Sequence, residues 1–164
     1  MTRRVLITGV SSGIGLAQAR HFLENGYQVY GVDQGENPVL DGDFHFLQRD
    51  LTLDLEPIFD WCPQVDVLCN TAGVLDAYKP LLEQTAQEIQ EIFEINYMTP
   101  VELTRYYLTQ MLENKKGTII NMCSIASSLA GGGGHAYTSS KHALAGFTKQ
   151  LALDYAEAGI QVFG

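Results

Sequence analysis

Val5-Leu6-Ile7-Thr8-Gly9-Val10-Ser11-Ser12-Gly13-Ile14-Gly15 is the stretch that decides the fold. Three aliphatic residues predict a short buried strand, the glycines a tight turn, and the apolar spacing through about Asn25-Gly26 an amphipathic helix. Strand, glycine-rich turn and helix together make a phosphate cradle. Gly9 permits the turn, Gly13 lets the backbone approach a pyrophosphate, and Gly15 lets the helix lie against the strand, while the free N–H groups of the helix start attract the anion. The candidate cofactor-binding residues here are Gly9, Ser11, Ser12, Gly13, Ile14 and Gly15.

A second strand, Gln28-Val29-Tyr30-Gly31-Val32, ends at Asp33, at the offset from Gly13 expected of an acid that accepts hydrogen bonds from an adenosine ribose. Its charge would repel the 2′-phosphate of NADP, and no basic residue stands at Ser11, Ser12 or Gln34, so NAD is favoured over NADP. Residues 34–43 hold two glycines and a proline and predict a loop in place of a helix. Phe44-His45-Phe46-Leu47 is a third strand, read as an edge strand at His45, and it leads to Asp50-Leu51, where the Asp50 side chain would meet an adenine edge. Residues 52–61 predict at most a brief helix with Pro57 near its start.

Val65-Asp66-Val67-Leu68-Cys69 predicts a fourth strand capped by Asn70-Thr71-Ala72-Gly73, whose small residues leave room for a ribose and a nicotinamide across the strand tips. Helical patterns follow from about Glu83 to Ile95 and from Pro100 to about Glu113. Thr99 and Glu102 have the spacing of a capping box, so either a new helix starts there or one long helix kinks. In a continuous helix the missing N–H of Pro100 would leave the carbonyl of Asn96 without a partner, able to hold a water. Gly117-Thr118-Ile119-Ile120-Asn121-Met122 is a fifth strand that delivers Ser124 at its tip, followed by a glycine-rich loop over 126–134 that forms one wall of a pocket.

A helix is predicted from Tyr137 to about Ala158, with Leu144, Phe147, Leu151 and Tyr155 as a packing stripe against the sheet or a second subunit. Residues four apart share a helix face, which sets Tyr137 beside Lys141. A fixed cation close to a phenol favours the phenolate, so such a pair exchanges protons with an alcohol or a carbonyl near neutral pH. Ile160-Gln161-Val162-Phe163 starts a sixth strand. Strands alternating with helices, with the suggestive residues at the strand tips, imply a single α/β domain over residues 1–164, a doubly wound parallel sheet of the Rossmann type.

Composition narrows the function classes. The 164 residues carry ten Lys and Arg against nineteen Asp and Glu, a net charge of -9, which offers nothing to a nucleic-acid backbone. No apolar run approaches the ~18 residues of a membrane span. Cys62, Cys69 and Cys123 lack metal-ligand spacing and read as reduced thiols of a cytoplasmic protein, with no metal site expected. A serine hydrolase built on Ser124 with His135 or His142 is disfavoured, because no G-x-S-x-G elbow is present.

The chain resembles the short-chain dehydrogenases/reductases. Thr8-Gly9-x-x-x-Gly13-x-Gly15, Asn70-Thr71-Ala72-Gly73, Asn96, Ser124 and Tyr137-x-x-x-Lys141 stand in the family's order. The resemblance implies hydride transfer between a nicotinamide cofactor and a secondary alcohol or ketone. Tyr137 would be the acid or base, and Lys141 would support it and bind the nicotinamide ribose. Ser124 would hold the reacting oxygen, and the Asn96 carbonyl a water that links Lys141 to solvent. Asp33, Asp50, Leu51, Asn70, Ala72 and Gly73 would contact the cofactor or brace the sheet, and Tyr137 as well as Lys141 would be among the residues that contact the cofactor. The branches it looks most like are the 3-oxoacyl-acyl-carrier-protein reductases and the dihydrodiol dehydrogenases. The alternatives are an NADPH-dependent reductase of the first branch and, from another class, a non-catalytic NAD-binding module. Family members continue through a substrate-covering segment and a last strand that these residues lack, so the chain is expected to be a fragment of a longer product. The full-length protein is expected to form a homodimer or homotetramer.

Overall fold

The computed structural model of the chain describes residues 2–164. Six strands, β1 (Arg4–Thr8), β2 (Gln28–Asp33), β3 (Phe44–Gln48), β4 (Val67–Asn70), β5 (Gly117–Asn121) and β6 (Ile160–Phe163), form one sheet in the order β3-β2-β1-β4-β5-β6. Every pairing is parallel, with Val5 opposite Val29 on one side and Val67 on the other. This is the doubly wound order, and the chain reverses its direction of winding between β1 and β4.

Helices α1 (Gly13–Glu24), α2 (Glu56–Trp61), α3 (Ala86–Phe93), α4 (Thr99–Glu113) and α5 (His135–Tyr155) connect or cover the strands. Alternate side chains of β1 enter different cores, as the two-residue period of a strand requires. Val5 and Ile7 join Val29, Val67 and Ala19 of α1 on one face, whereas Leu6 joins Leu68, Ile119, Leu103, Tyr107 and Leu151 on the other. Burial on both faces explains the unbroken aliphatic run of β1. Cys62 and Cys69 are buried within these cores, and burial pushes both thiols up to about 12.

Residues 34–43 contain no helix, and α2 is a brief helix with Pro57 in its first turn, both as the sequence predicts. The break expected before Pro100 takes a different form. Phe93 runs into a π-helical turn, Glu94–Met98, which runs into α4 without interruption, and the Thr99 N–H donates to the Glu94 carbonyl five residues back. Thr99 is helical and its hydroxyl donates to the Leu51 carbonyl at 3.1 Å, so it caps nothing. The same T-x-x-E pattern occurs at Thr85 and Glu88, and there both reciprocal bonds of a capping box form and start α3.

Tyr107, fully buried on α4, donates its hydroxyl to the Cys62 carbonyl at 2.7 Å and ties the end of α2 to the core. Tyr107→Phe would leave that carbonyl without its donor, at a cost of about 1–3 kcal/mol. A urea midpoint lowered at constant slope would confirm it, and an unshifted midpoint would show that the bond contributes nothing.

Candidate functional site

The tips of β1 to β4 and the turns that follow them enclose a cavity of about 370 Å³ at the point where the winding reverses. Gly9, Ser12, Gly13, Ile14 and Gly15 line it from the first turn, Asp33 and Gln34 from β2, Arg49, Asp50 and Leu51 from β3, and Ala72, Gly73 and Val74 from β4.

The first turn is built on glycine for two physical reasons. Gly13 has φ +53°, and a β-carbon there would meet nothing within 4 Å, so the backbone faces open space. Gly15 is the opposite case. A β-carbon on it would stand 2.1 Å from the Gly9 carbonyl oxygen. Helix α1 has no side-chain cap on its first N–H groups and no acidic residue in its first turn, so its positive end is open to an anion. The turn is braced from β4, because the Thr8 hydroxyl accepts from the N–H groups of Thr71 and Ala72 at 3.0 and 3.1 Å.

Asp33 stands at the far edge of the cavity. Its two oxygens accept from the N–H groups of Ser11 and Gly35 at 2.9 and 2.8 Å, which fixes the carboxylate and leaves lone pairs on each oxygen for a diol. The Ser11 hydroxyl donates to the Glu36 carbonyl. Asp50 accepts at one oxygen from the backbone and hydroxyl of Thr52, and the backbone bond leads the lowering of its carboxyl below the usual range. Of the two roles expected for Asn70, cofactor contact or bracing of the sheet, the geometry matches the second. The Asn70 side chain is buried, donates to Asn121 Oδ1 at 2.8 Å and is no part of the cavity wall, so it braces β4 against β5. Thr71, part of the small-residue cap read from the sequence, also lines the wall, and Arg49, Val74 and Ile95, which the sequence did not single out, complete it. Arg49 directly precedes Asp50-Leu51, the one signal that could have placed it at the same strand tip.

At the Gly73 end of the cavity lie the remaining candidates. Lys141 is 3% exposed, donates from Nζ to the Met122 carbonyl at 2.8 Å and sits 5.8 Å from the centre of the Tyr137 ring. Burial pulls its ammonium below the usual lysine range, with Cys123 acting weakly in the other direction. A β-carbon on Gly73 would stand 3.4 Å from Lys141 Nζ, so the ammonium borders the cavity floor. Asn96, fully buried in the π-helical turn, uses its whole amide as a clamp: Oδ1 accepts from the Val74 N–H at 2.8 Å, while Nδ2 donates to the Val74 carbonyl and to Ser140 Oγ. In an α-helical register the missing N–H of Pro100 falls to the Asn96 carbonyl, and in the wider register to that of Ile95. Both carbonyls lie within the turn where the register changes.

Ser124 opens a short 3₁₀ turn over Ile125–Ser127, and its Oγ accepts from the Ala126 N–H at 3.1 Å. Among the described residues its own proton has no acceptor. The turn packs against α5, and Gly132 and Gly133 fill the space between Ala126 and the Tyr137 ring. Among the described residues no group of three His, Cys, Asp or Glu side chains could hold a metal, and no helix is long and apolar enough to cross a membrane.

A family model described as short chain dehydrogenase matches residues 3–164. The short chain dehydrogenase adrF of Penicillium rubens is 35% identical over 166 residues, which cover 96% of this chain and 65% of that protein. Among solved structures, a 4-hydroxyisoleucine dehydrogenase complexed with NADH superposes with a TM-score of 0.88 at 30% identity, covering 98% of this chain and 73% of the other. An NAD(P)-dependent gluconate 5-dehydrogenase, described as putative, from Beutenbergia cavernae with bound NADP gives 0.87 at 30% identity, covering 98% and 69%. The chain spans about 65% of the length of the curated relatives it matches.

Proposed function

Because the chain belongs to the short-chain dehydrogenase family, we propose that its protein transfers a hydride between NAD and a secondary alcohol or ketone, with Tyr137 as the acid or base. One observation carries this reading: the buried Lys141 ammonium, held by Met122, lies over the Tyr137 ring beside Gly73, which lines the cavity at the strand tips. The open space above Gly13, the uncapped start of α1 and the fixed Asp33 carboxylate fit the pyrophosphate and the adenosine ribose. When bound, the nicotinamide supplies or accepts the hydride. The rest belongs to this chain. Tyr137 gives its hydroxyl proton to the carbonyl oxygen in reduction and takes it back in oxidation. Lys141 stabilises the phenolate by charge, and Ser124, whose proton is uncommitted, donates to the reacting oxygen. Asn96 holds Val74 and Ser140 in place and, through its main chain, a water that would carry the proton onward from Lys141.

NAD is preferred because a 2′-phosphate would meet the Asp33 carboxylate, whose position Ser11 and Gly35 fix. A second reading, NADPH-linked reduction, is favoured by Arg49, a cation that lines the same cavity as Asp33 and whose guanidinium donates to the Asp54 carbonyl. Parallel fluorescence titrations with NADH and NADPH separate the two. NADH is expected to bind at least about tenfold more tightly, a difference of ~1.4 kcal/mol. A preference for NADPH that Arg49→Gln abolishes would transfer the proposal to the second reading. Where NADH is preferred, turnover is sought with NAD and cyclohexanol, isopropanol and a hydroxysteroid.

A further inference from the structure

We propose that Asp76, a residue of the loop between β4 and α3 with no part in the chemistry above, is a positioning residue that caps α5 from outside and so sets the place of Tyr137. The proposal rests on the reading of Tyr137 as the acid-base group. Helix α5 carries both Tyr137 and Lys141, yet its own N-cap residue is Gly134, which has no side chain to satisfy the first N–H groups. Asp76 supplies what is missing. Asp76 is 7% exposed, and its carboxylate accepts from the Gly134 N–H at 2.7 Å and from the Tyr137 N–H at 3.0 Å, two of the bonds that α5 lacks. Gln84 donates to the same group at 2.9 Å. An anion at this end of a 21-residue helix also meets its positive pole.

Two further features are shaped around this carboxylate. A β-carbon on Gly134 would lie 2.7 Å from both Asp76 oxygens, and one on Gly133 would lie 2.3 Å from Tyr137 Cδ1. The end of the glycine run is therefore the space that Asp76 and the Tyr137 ring occupy. On the other side, Ala77 and Tyr78 take φ values of 52° and 59°, consecutive left-handed positions that residues with a β-carbon avoid. The chain accepts that strain beside the carboxylate. The loop is held from behind as well, because Asn96 clamps Val74 two residues before Asp76 and Ser140 on α5. Segment 74–76, which leaves the cavity wall at Val74, is thus bolted to α5 at both ends. Burial pushes the Asp76 carboxyl up, but the hydrogen bonds from Tyr137, Gln84, Gly134 and Tyr78 outweigh it and hold the group below the usual carboxylate range.

The test uses Asp76→Asn, Asp76→Ala, Gly134→Ser and the double variant Asp76→Ala with Gly134→Ser, each in the full chain. Hydrogen exchange is read over residues 134–141, together with NADH affinity and turnover of whichever of the three alcohols the unmodified protein oxidises fastest. Asp76→Asn and Asp76→Ala are expected to speed exchange at this segment alone and to lower kcat about ten- to a hundredfold, the scale of a small misplacement of a reacting group. The NADH dissociation constant is expected to stay within about twofold, since the cofactor contacts are untouched. Serine at position 134 clashes with Asp76 in the single variant but fills the vacated space in the double variant, where it is a good N-cap. The double variant is therefore expected to recover both slow exchange and turnover. Unchanged exchange in both Asp76 variants overturns the proposal, as does faster exchange across the whole chain without rescue by serine. Local exchange with normal turnover overturns it too where Tyr137→Phe is inactive. If Tyr137→Phe is active, the acid-base reading has failed, and the exchange data still decide the cap.

Discussion

Tyr137→Phe is expected to lower turnover by about 10²–10⁴-fold, the usual contribution of a positioned acid or base, while NADH affinity stays within about twofold. The asymmetry follows from where the residue stands. Tyr137 is no part of the wall of the cavity at the strand tips, so loss of its hydroxyl takes nothing from the turn at Gly13, from Asp33 or from the start of α1. The hydroxyl is the group that would exchange a proton with the substrate oxygen, and phenylalanine keeps the ring against Gly133 and Lys141 without it. Steady-state kinetics with saturating NAD, and NADH titration of the same preparation, measure the two quantities. Retention of more than about a tenth of the turnover would remove Tyr137 from the mechanism, because general acid-base catalysis is worth more than that. Loss of NADH binding would mean that the hydroxyl holds the cofactor, and the kinetic change would then say nothing about proton transfer.

The residues that the sequence made legible share one property. Gly9, Gly13, Gly15, Asp33 and Ala72-Gly73 answer to short-range requirements, such as a turn, a close approach or a strand tip, that a local pattern records. What stayed hidden answers to long-range ones. Helix α5 begins at His135, ahead of the predicted Tyr137, because its first N–H groups find their acceptor 58 residues away in Asp76. No rule about neighbouring residues can see such a cap. The two T-x-x-E patterns make the same point, since Thr85 caps a helix and Thr99 continues one. The difference lies in the Leu51 carbonyl, which takes the Thr99 hydroxyl. Arg49 was missed for the same reason, as only the parallel register of β3 beside β2 brings it to the cavity that Asp33 edges.

Gly15→Ala is expected to abolish measurable NADH binding, with affinity falling at least about a hundredfold, or ~2.7 kcal/mol. The added carbon would lie 2.1 Å from the Gly9 carbonyl oxygen and 2.7 Å from its carbon, both backbone atoms that no rotamer change can move. Gly9 has nowhere to go. Its N–H donates to the Val32 carbonyl at 2.9 Å, and its own α-carbon faces Ala72, where a β-carbon would already be 2.9 Å from the Ala72 backbone. Helix α1 must therefore shift away from the turn, taking its uncapped N–H groups out of the line they need to hold an anion. Overpacking of this kind costs about 1–3 kcal/mol of stability, and for a chain of this size each of those lowers Tm by roughly 2–4 °C. Gly13→Ala is the control that separates sterics within the fold from sterics against the ligand. Its added carbon meets nothing within 4 Å, so the folded chain bears only the strain of φ +53°, about 1 kcal/mol for alanine in that region. If the open space above Gly13 is the seat of the pyrophosphate, NADH binding is lost there with little change in Tm. Normal NADH binding by Gly15→Ala would show that the cradle of the first turn is not where the cofactor is held, and the cavity at the tips of β1 to β4 would then need a different ligand.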